Sequence, residues 1–272
     1  MNDSALRLGL CLALALAPFS GAAVAHPDTL AAAAQAPAPN THPDNRPEIK
    51  EMGDKLSAHI GKRGKEDTEA IGVIDSMAKE FEQCGPKDRV LIVKALDKCF
   101  DAKRTESAEG VPDNKLYLAA AVSLRLMGPE SAPVLMKWIG HKDHRKDLAL
   151  QGKLITSLGK TKDEDGRKQL MKLLVDKSPA VQAAAAEALG EFAEADQKIR
   201  KECVEELIKN ALMPAKGAVD VQTPNQADKD RWDTISAPII TSLQRLTGNN
   251  ETDPQKWQSW WNDNKKKNWD KS

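Results

Sequence analysis

The chain is 272 residues long and carries 40 lysines and arginines against 40 aspartates and glutamates, for a formal net charge of zero. That balance argues against a general nucleic-acid or anionic-membrane binder, because such proteins draw their affinity from an excess of Lys and Arg. The one basic cluster, Lys265-Lys266-Lys267 with Lys271, sits at the C-terminus and reads as a solvated tail.

From the N-terminus, Arg7 precedes an apolar run from Leu8 to Ala17, followed by Pro18-Phe19-Ser20-Gly21 and the small-residue triplet Ala23-Val24-Ala25. This order of basic residue, short apolar core and A-x-A site is that of a secretory signal peptide over 1–25, cleaved between Ala25 and His26. The apolar run falls short of the ~20 residues a spanning helix needs. Cys11 follows Leu10 inside the run, which argues against a lipoprotein. No second apolar segment of that length follows, so a soluble, exported protein is expected, periplasmic or secreted, with no membrane insertion after cleavage. Residues 26–47 hold alanine, proline, asparagine and threonine but hardly any large apolar side chain. Such a stretch buries too little surface to offset its ordering entropy and is expected to be a disordered linker. The folded domain is expected over 48–272, enough chain for one continuous core.

Within that domain, segments of ten to twenty residues place apolar side chains three and four apart, and none alternates like a strand. The periodicity predicts helices at about 48–61, 66–84, 87–103, 114–127, 131–140, 144–160, 164–176, 179–192, 197–212, 230–247 and 254–268. Several ends are legible: Pro86 after Gly85, Gly128-Pro129, and Ser178 as an N-cap ahead of Pro179. Cys84, Cys99 and Cys203 form an odd set of thiols. With Cys84 ending one helix and Cys99 more than three turns into the next, a rise of ~1.5 Å per residue separates them by about 20 Å. That exceeds the ~7 Å limit on Cα separation for a disulfide, so buried or idle thiols are expected.

The sequence repeats internally. Leu135-Met136-Lys137-Trp138-Ile139 recurs as Leu170-Met171-Lys172-Leu173-Leu174 and, more weakly, as Leu207-Ile208-Lys209. In the helix after each first one, Leu118, Val122 and Leu126 correspond to Leu150, Leu154 and Leu158, and these to Val181, Ala185 and Leu189. Each set shares the i, i+4, i+8 spacing of one helical face, and the sets recur every 31 or 32 residues. One such face makes no core alone, whereas stacked units bury it against each other. These helix pairs, with second helices such as Pro179-Ala180-Val181-Gln182-Ala183-Ala184-Ala185-Ala186-Glu187-Ala188-Leu189-Gly190, resemble HEAT repeats from about Glu66 to Asn264, and most strongly between Leu116 and Leu212. The small residues permit close backbone approach between neighbouring helices. The resemblance implies an all-α superhelix of about five helix pairs. The ending Leu246-Thr247-Gly248 with Trp257-Gln258-Ser259-Trp260-Trp261-Asn262 is similar to that of many exported bacterial HEAT-repeat proteins, where the family implies a terminal cap. Trp257, Trp260 and Trp261 are spaced to form one aromatic stripe. Residues 213–229 show no helical period and read as a loop inserted between the two helices of the last repeat, a position that often serves function.

Motifs that carry chemistry are scarce. Gly159-Lys160-Thr161 mimics the end of a phosphate-binding loop, but Leu154 stands where the earlier glycine belongs and a helix precedes it, so a helix C-cap and turn is expected. His141 and His144 flank a short turn with Asp143 nearby, but a third placed ligand is missing and no metal site is assigned. Asp163-Glu164-Asp165-Gly166 reads as a capped turn, its glycine being too early for a calcium loop. Asn250-Glu251-Thr252 is a formal glycosylation sequon. No cofactor is implied.

The expectation is a non-catalytic scaffold of the cell envelope or secreted space. As the resemblance implies, it would bind another protein or peptide on the concave face of the stack, with Gln151 and Gln182, in register on adjacent units, as candidate contacts. A carbohydrate-binding alternative uses Trp257, Trp260 and Trp261 as an aromatic platform for a polysaccharide. An enzyme on the same scaffold is disfavoured by the missing acid, base and nucleophile constellation.

Overall fold

The computed structural model describes residues 41–104 and 113–270. The expected signal peptide over 1–25 and residues 26–40 of the linker expected over 26–47 lie outside the described residues. The end of that linker is instead tied to the fold, with Asp44, Asn45 and Arg46 hydrogen-bonded to Lys87 and Asp88 and Pro47 opening a helix. Among the described residues there is no strand, and no helix is long and apolar enough to cross a membrane.

Among the described residues twelve α-helices follow one another: α1 (Pro47–Ile60), α2 (Asp67–Glu80), α3 (Pro86–Asp101), α4 (Lys115–Leu124), α5 (Ala132–Trp138), α6 (Leu148–Lys160), α7 (Glu164–Leu173), α8 (Pro179–Leu189), α9 (Gln197–Glu206), α10 (Met213–Val219), α11 (Gln226–Thr247) and α12 (Pro254–Asn264). They form a superhelical stack of pairs. The second helices α2, α4, α6, α8 and α11 pack against one another in series. On the other side, α1 packs on α3, α3 on α5, and α5 on α7. One apolar stripe per helix meets its neighbours in a continuous core, in which Leu135, Leu150, Leu154, Leu158, Leu170, Leu189 and Leu207 are completely buried. Each contributes roughly 1.5–3 kcal/mol of burial. At the start of the stack, Asp88 accepts hydrogen bonds from the backbone of Asn45 and Arg46 at 3.0 Å, and Asp44 accepts from the Lys87 amide at 2.8 Å. These bonds pin the entry of α1 onto α3.

The second helices approach most closely at two glycines. A Cβ on Gly159 would lie 2.5 Å from the Ala188 carbonyl oxygen and 2.8 Å from Ala188 Cα. One unit later, a Cβ on Gly190 would lie 2.7 Å from Ser242 Oγ and 3.3 Å from Ser242 Cα. Both glycines end a second helix after a buried leucine, Leu158 or Leu189, so the repeat places the same thin spot at successive contacts. An ion cluster fastens the same end: Glu191 accepts from Lys160 at 2.6 Å and from Arg245 at 3.1 Å, joining α6, the turn after α8, and α11. Burial alone would raise the Glu191 pKa, but the hydrogen bonds and charges of Lys160 and Arg245 outweigh it and hold the carboxyl below its usual range.

Four local expectations are corrected. In the second pair the buried face is Leu116, Ala120, Leu124 and Met127, while Leu126 is 61% exposed and Leu118 and Val122 are only partly covered. The α-helix ends at Leu124 and a tighter 3-10 turn carries the chain through Gly128 at φ 61° to Pro129, which rotates the apolar stripe by one position. The loop expected over 213–229 shrinks to residues 220–225, because α9 runs through a π-helical segment, Leu207–Leu212, straight into α10. Pro214 cannot donate to the Asn210 carbonyl, and the widened turn just before it accommodates that loss. The helix expected from 144 starts at Leu148, where the Asp147 side chain accepts the Leu150 amide at 3.0 Å. Ser178 holds the N-cap position of α8 without a side-chain bond, and its amide donates to Asp176 instead. Elsewhere Asp163 caps α7 through the Gly166 amide at 2.7 Å, and Thr161 closes α6 through its hydroxyl to Leu158 at 2.7 Å.

Gly159→Ala should lower unfolding free energy in urea by about 1–3 kcal/mol, the cost of overpacking against rigid backbone. Gly152→Ala, where an added Cβ meets nothing within 4 Å, should be neutral or gain up to ~1 kcal/mol from helix propensity. A depressed carboxyl pKa contributes stability that is present above the unfolded value and lost as pH falls through the folded one. Glu191→Gln should therefore cost at most ~1 kcal/mol at pH 7, because Lys160 and Arg245 are half exposed. The gap from wild type should close as pH drops below about 4.3.

Candidate functional site

The first residues of each second helix, with the turn that leads into them, form one rim of the stack. In the third pair this turn runs from Ile139 to Asp147 and is tied from within by Gln151. Its Oε1 accepts the Gly140 amide at 2.7 Å, and its Nε2 donates to the carbonyls of Trp138 at 3.4 Å and His144 at 3.3 Å. Gln151 is 3% exposed, so the contact proposed from sequence is a structural brace. The turn needs it because Gly140, at φ 73°, directs its amide inward.

The histidines of this turn are likewise engaged. His144 is buried, with Nε2 bonded to the Phe100 carbonyl at 2.8 Å and its ring edge-on to Tyr117 and Trp138. His141 stacks its edge on Trp138 at 4.5 Å between centroids and lies 3.6 Å from Asp143. Trp138 in turn donates to Asp97 at 2.6 Å. Among the described residues no group of three His, Cys, Asp or Glu side chains converges as metal ligands.

Gln182, one repeat later, is 4% exposed and faces the next unit. Its Oε1 accepts from the Arg231 guanidinium at 3.4 Å, and Arg231 also donates to the Lys177 carbonyl at 3.3 Å. The turn before α8 is short and offers Gln182 no inward-pointing glycine amide. Two side chains in register thus serve different ends.

Two cavities flank the first turn of α8. One, of about 250 Å³, lies between the third and fourth pairs, with Leu148, Gln151, Leu173 and Val181 in its wall and Arg145 and Asp176 at its polar side. The other, of about 490 Å³, lies between α8, α10 and α11, where Lys177, Gln182, Asn210, Asp228, Asp230 and Arg231 surround a floor of alanine and proline. Large apolar side chains stand out along the same rim: Leu148 is 52% exposed, Val175 63% and Val221 54%, one in each of three successive units. Their turns had no readable chemical motif. The only sequence signal was a bulky apolar residue at a turn or helix start, outside the core-facing stripe.

The tryptophan end has a different character from the expected platform. Trp257 is completely buried and Trp261 is 7% exposed, while Trp260 is half-buried. The planes of Trp257 and Trp260 meet at 73°, those of Trp261 and Trp269 at 78°, so no coplanar face is offered. Trp269 completes the cluster: Nε1 donates to the Asn264 carbonyl at 3.0 Å, and Arg200 and Lys201 lie 5.7 and 5.3 Å from its ring. α12 packs on α10 and the π-helical segment, which would otherwise present apolar surface to water. Tryptophan supplies the largest buried area per residue, and edge-to-face geometry suits such a plug.

The thiols are buried, and their surroundings hold them protonated. Burial pushes Cys99 up to about 12 and Cys203 up to about 11, and it raises Cys84 as well. A thiol in that state is a poor nucleophile. The rim cavities are lined by hydrogen-bonding, charged and apolar groups.

Residues 144–211, spanning α6 to α9 and most of the π-helical segment, match the family model described as HEAT repeats. This stretch is built of HEAT repeats, and on either side of it further helices continue the all-α superhelical stack. No curated protein and no solved structure matches the chain.

If Gln151 is a brace, Gln151→Leu should cost about 2–3 kcal/mol in chemical denaturation, since it leaves the Gly140 amide unpaired. Gln182→Leu should cost under ~1 kcal/mol, because its bond to Arg231 is long. A binding role for Gln151 would show the reverse pattern, with unchanged stability and weakened partner capture.

Proposed function

We propose that the protein is a non-catalytic scaffold that binds a segment of another protein along the rim formed by the turns and second-helix starts of its third to fifth pairs. HEAT repeats suggest a protein-interaction or scaffold role, because a stack exposes a long surface supported by a rigid core. The observation that carries the reading to this rim is the row of exposed Leu148, Val175 and Val221 at the turns and helix starts of three successive units, with Leu148 in the wall of one cavity. Apolar side chains held in water next to polar-rimmed cavities mark interaction surfaces, and turns on a rigid scaffold are where recognition is placed. The reading moves the contact surface from the concave face expected from sequence to the N-terminal rim of the second-helix layer, since Gln151 and Gln182 are buried there. The leader pattern of residues 1–25 supports a place outside the cytoplasm, in the envelope or secreted space. A sugar platform at the tryptophan end lacks support, given the buried and inclined rings.

A photo-crosslinking amino acid placed at Val175 or Val221 in the host should capture a defined protein, whereas the same probe at Leu91 or Leu126, exposed elsewhere, should not. Leu148→Asp with Val175→Asp, at unchanged helicity, should weaken that capture at least about tenfold, equivalent to ~1.4 kcal/mol. Equal capture from all four positions, or full capture by the aspartate variant, would remove the rim from consideration.

A further inference from the structure

The opposite end of the second-helix layer holds a small polar cavity that the rim reading does not use. It measures about 120 Å³ and lies between α6 and α8. Taking ~30 Å³ per water in the liquid, that is room for about four waters, or for one group of four or five heavy atoms. Its origin is the thin contact described above: Gly159 brings α6 against Ala188, and Ser157 with Lys153 and Thr156 faces the slot just before that contact.

Two features set this cavity apart from an ordinary gap. Ser157 is 1% exposed, its Oγ is buried, and among the described residues it reaches no hydrogen-bond partner. A buried hydroxyl left that way is destabilising, so a group that accepts its hydrogen bond gains by entering. The charges around it are also unbalanced. Arg125, Lys153 and Lys160 line the cavity with Glu187 and Glu191. Glu191 is already shared between Lys160 and Arg245, which leaves Arg125 and Lys153 facing Glu187 alone, with no ion pair for any of these three among the described residues. With Arg245 included, four positive charges meet two negative ones. The carbonyl ends of α4 and α6 offset part of this positive charge.

We propose that this cavity binds a single small oxyanion group, a carboxylate or phosphate, held between Arg125 and Lys153 with the Ser157 hydroxyl donating to it. Two cations and a hydroxyl donor around one anionic group form charge-assisted hydrogen bonds, stronger than neutral ones. Arg125 follows α4, Lys153 belongs to α6, and Ala188 of α8 closes the wall, so the bound group joins three successive units.

The test follows backbone amide shifts of the full chain during titration with inorganic phosphate and, separately, sodium acetate, at ionic strength held constant with sodium chloride. Saturable shifts confined to residues 124–126, 153–160 and 187–191, reduced at least about tenfold in affinity by Arg125→Gln with Lys153→Gln, are expected. Ser157→Ala supplies a variant that keeps the fold: without added anion it should melt no lower than wild type, and with anion it should bind more weakly. A peptide bearing one glutamate side chain, titrated in parallel, distinguishes the source. Tighter binding than acetate and phosphate assigns the site to a partner's side chain, and weaker binding assigns it to a free anion. Shifts no larger than those in chloride alone, or the same affinity in the Arg125/Lys153 variant, would overturn the proposal.

Discussion

The stack depends on the distance between successive second helices, and two missing Cβ atoms set that distance. At Gly159 against Ala188, and at Gly190 against Ser242, backbone meets backbone or a short side chain at separations that no larger residue fits. This contact lets Leu154, Leu158, Ala185 and Leu189 interdigitate from both sides of each interface. Dispersion is weak per atom pair and falls quickly with a gap of half an ångström or more, so a small widening at the glycines would cost contacts along the whole helix. The alanine-rich α8 follows from the same constraint: it is sandwiched between α6 and α11, and bulk on either face would separate both.

The charges around this contact act on its direction. Glu191 is held by Lys160 of the preceding helix and Arg245 of the following one, so it fixes the rotation of three helices at their C-terminal ends. The pairs are half exposed and contribute modestly to stability, but they act where the helices already touch and so specify the angle of the next unit. The same sharing of Glu191 leaves Arg125 and Lys153 with Glu187 alone as counter-charge beside the buried Ser157 hydroxyl. A packing device and a candidate anion site thus share one cause.

At the far end of the stack, a solenoid exposes the apolar face of its last pair unless something closes it. The C-terminal tryptophans do so at inclined angles, with Trp269 drawn in from the basic tail by Arg200 and Lys201 and by its bond to Asn264. Their packing leaves no flat aromatic platform at that end, whereas Leu148, Val175 and Val221 on the rim remain in water. The cavities there exist because residues of neighbouring units, such as Leu148 with Val181 and Gln182 with Arg231, meet across the interfaces.

The amino-acid sequence alone determined most of the helices, α10 excepted, and their repeat, because each depends on short-range periodicity: apolar residues at i, i+4 and i+8 and capping residues such as Asp163. It also placed Trp257, Trp260 and Trp261 at the end of the stack, where a cap is required. Tertiary structure decided which of those residues face inward. Leu126 follows the predicted spacing yet is exposed, because the 3-10 turn after Leu124 rotates the helix face, a change of hydrogen-bond pattern that periodicity does not report. Gln151 and Gln182 occupy equivalent positions, yet one braces its own turn and the other reaches the next unit, since the outcome turns on whether an inward amide such as that of Gly140 lies within 3 Å. The candidate sites were illegible for the same physical reason: each is assembled across an interface between units, and pairwise distances between residues 30 or more positions apart are set by packing.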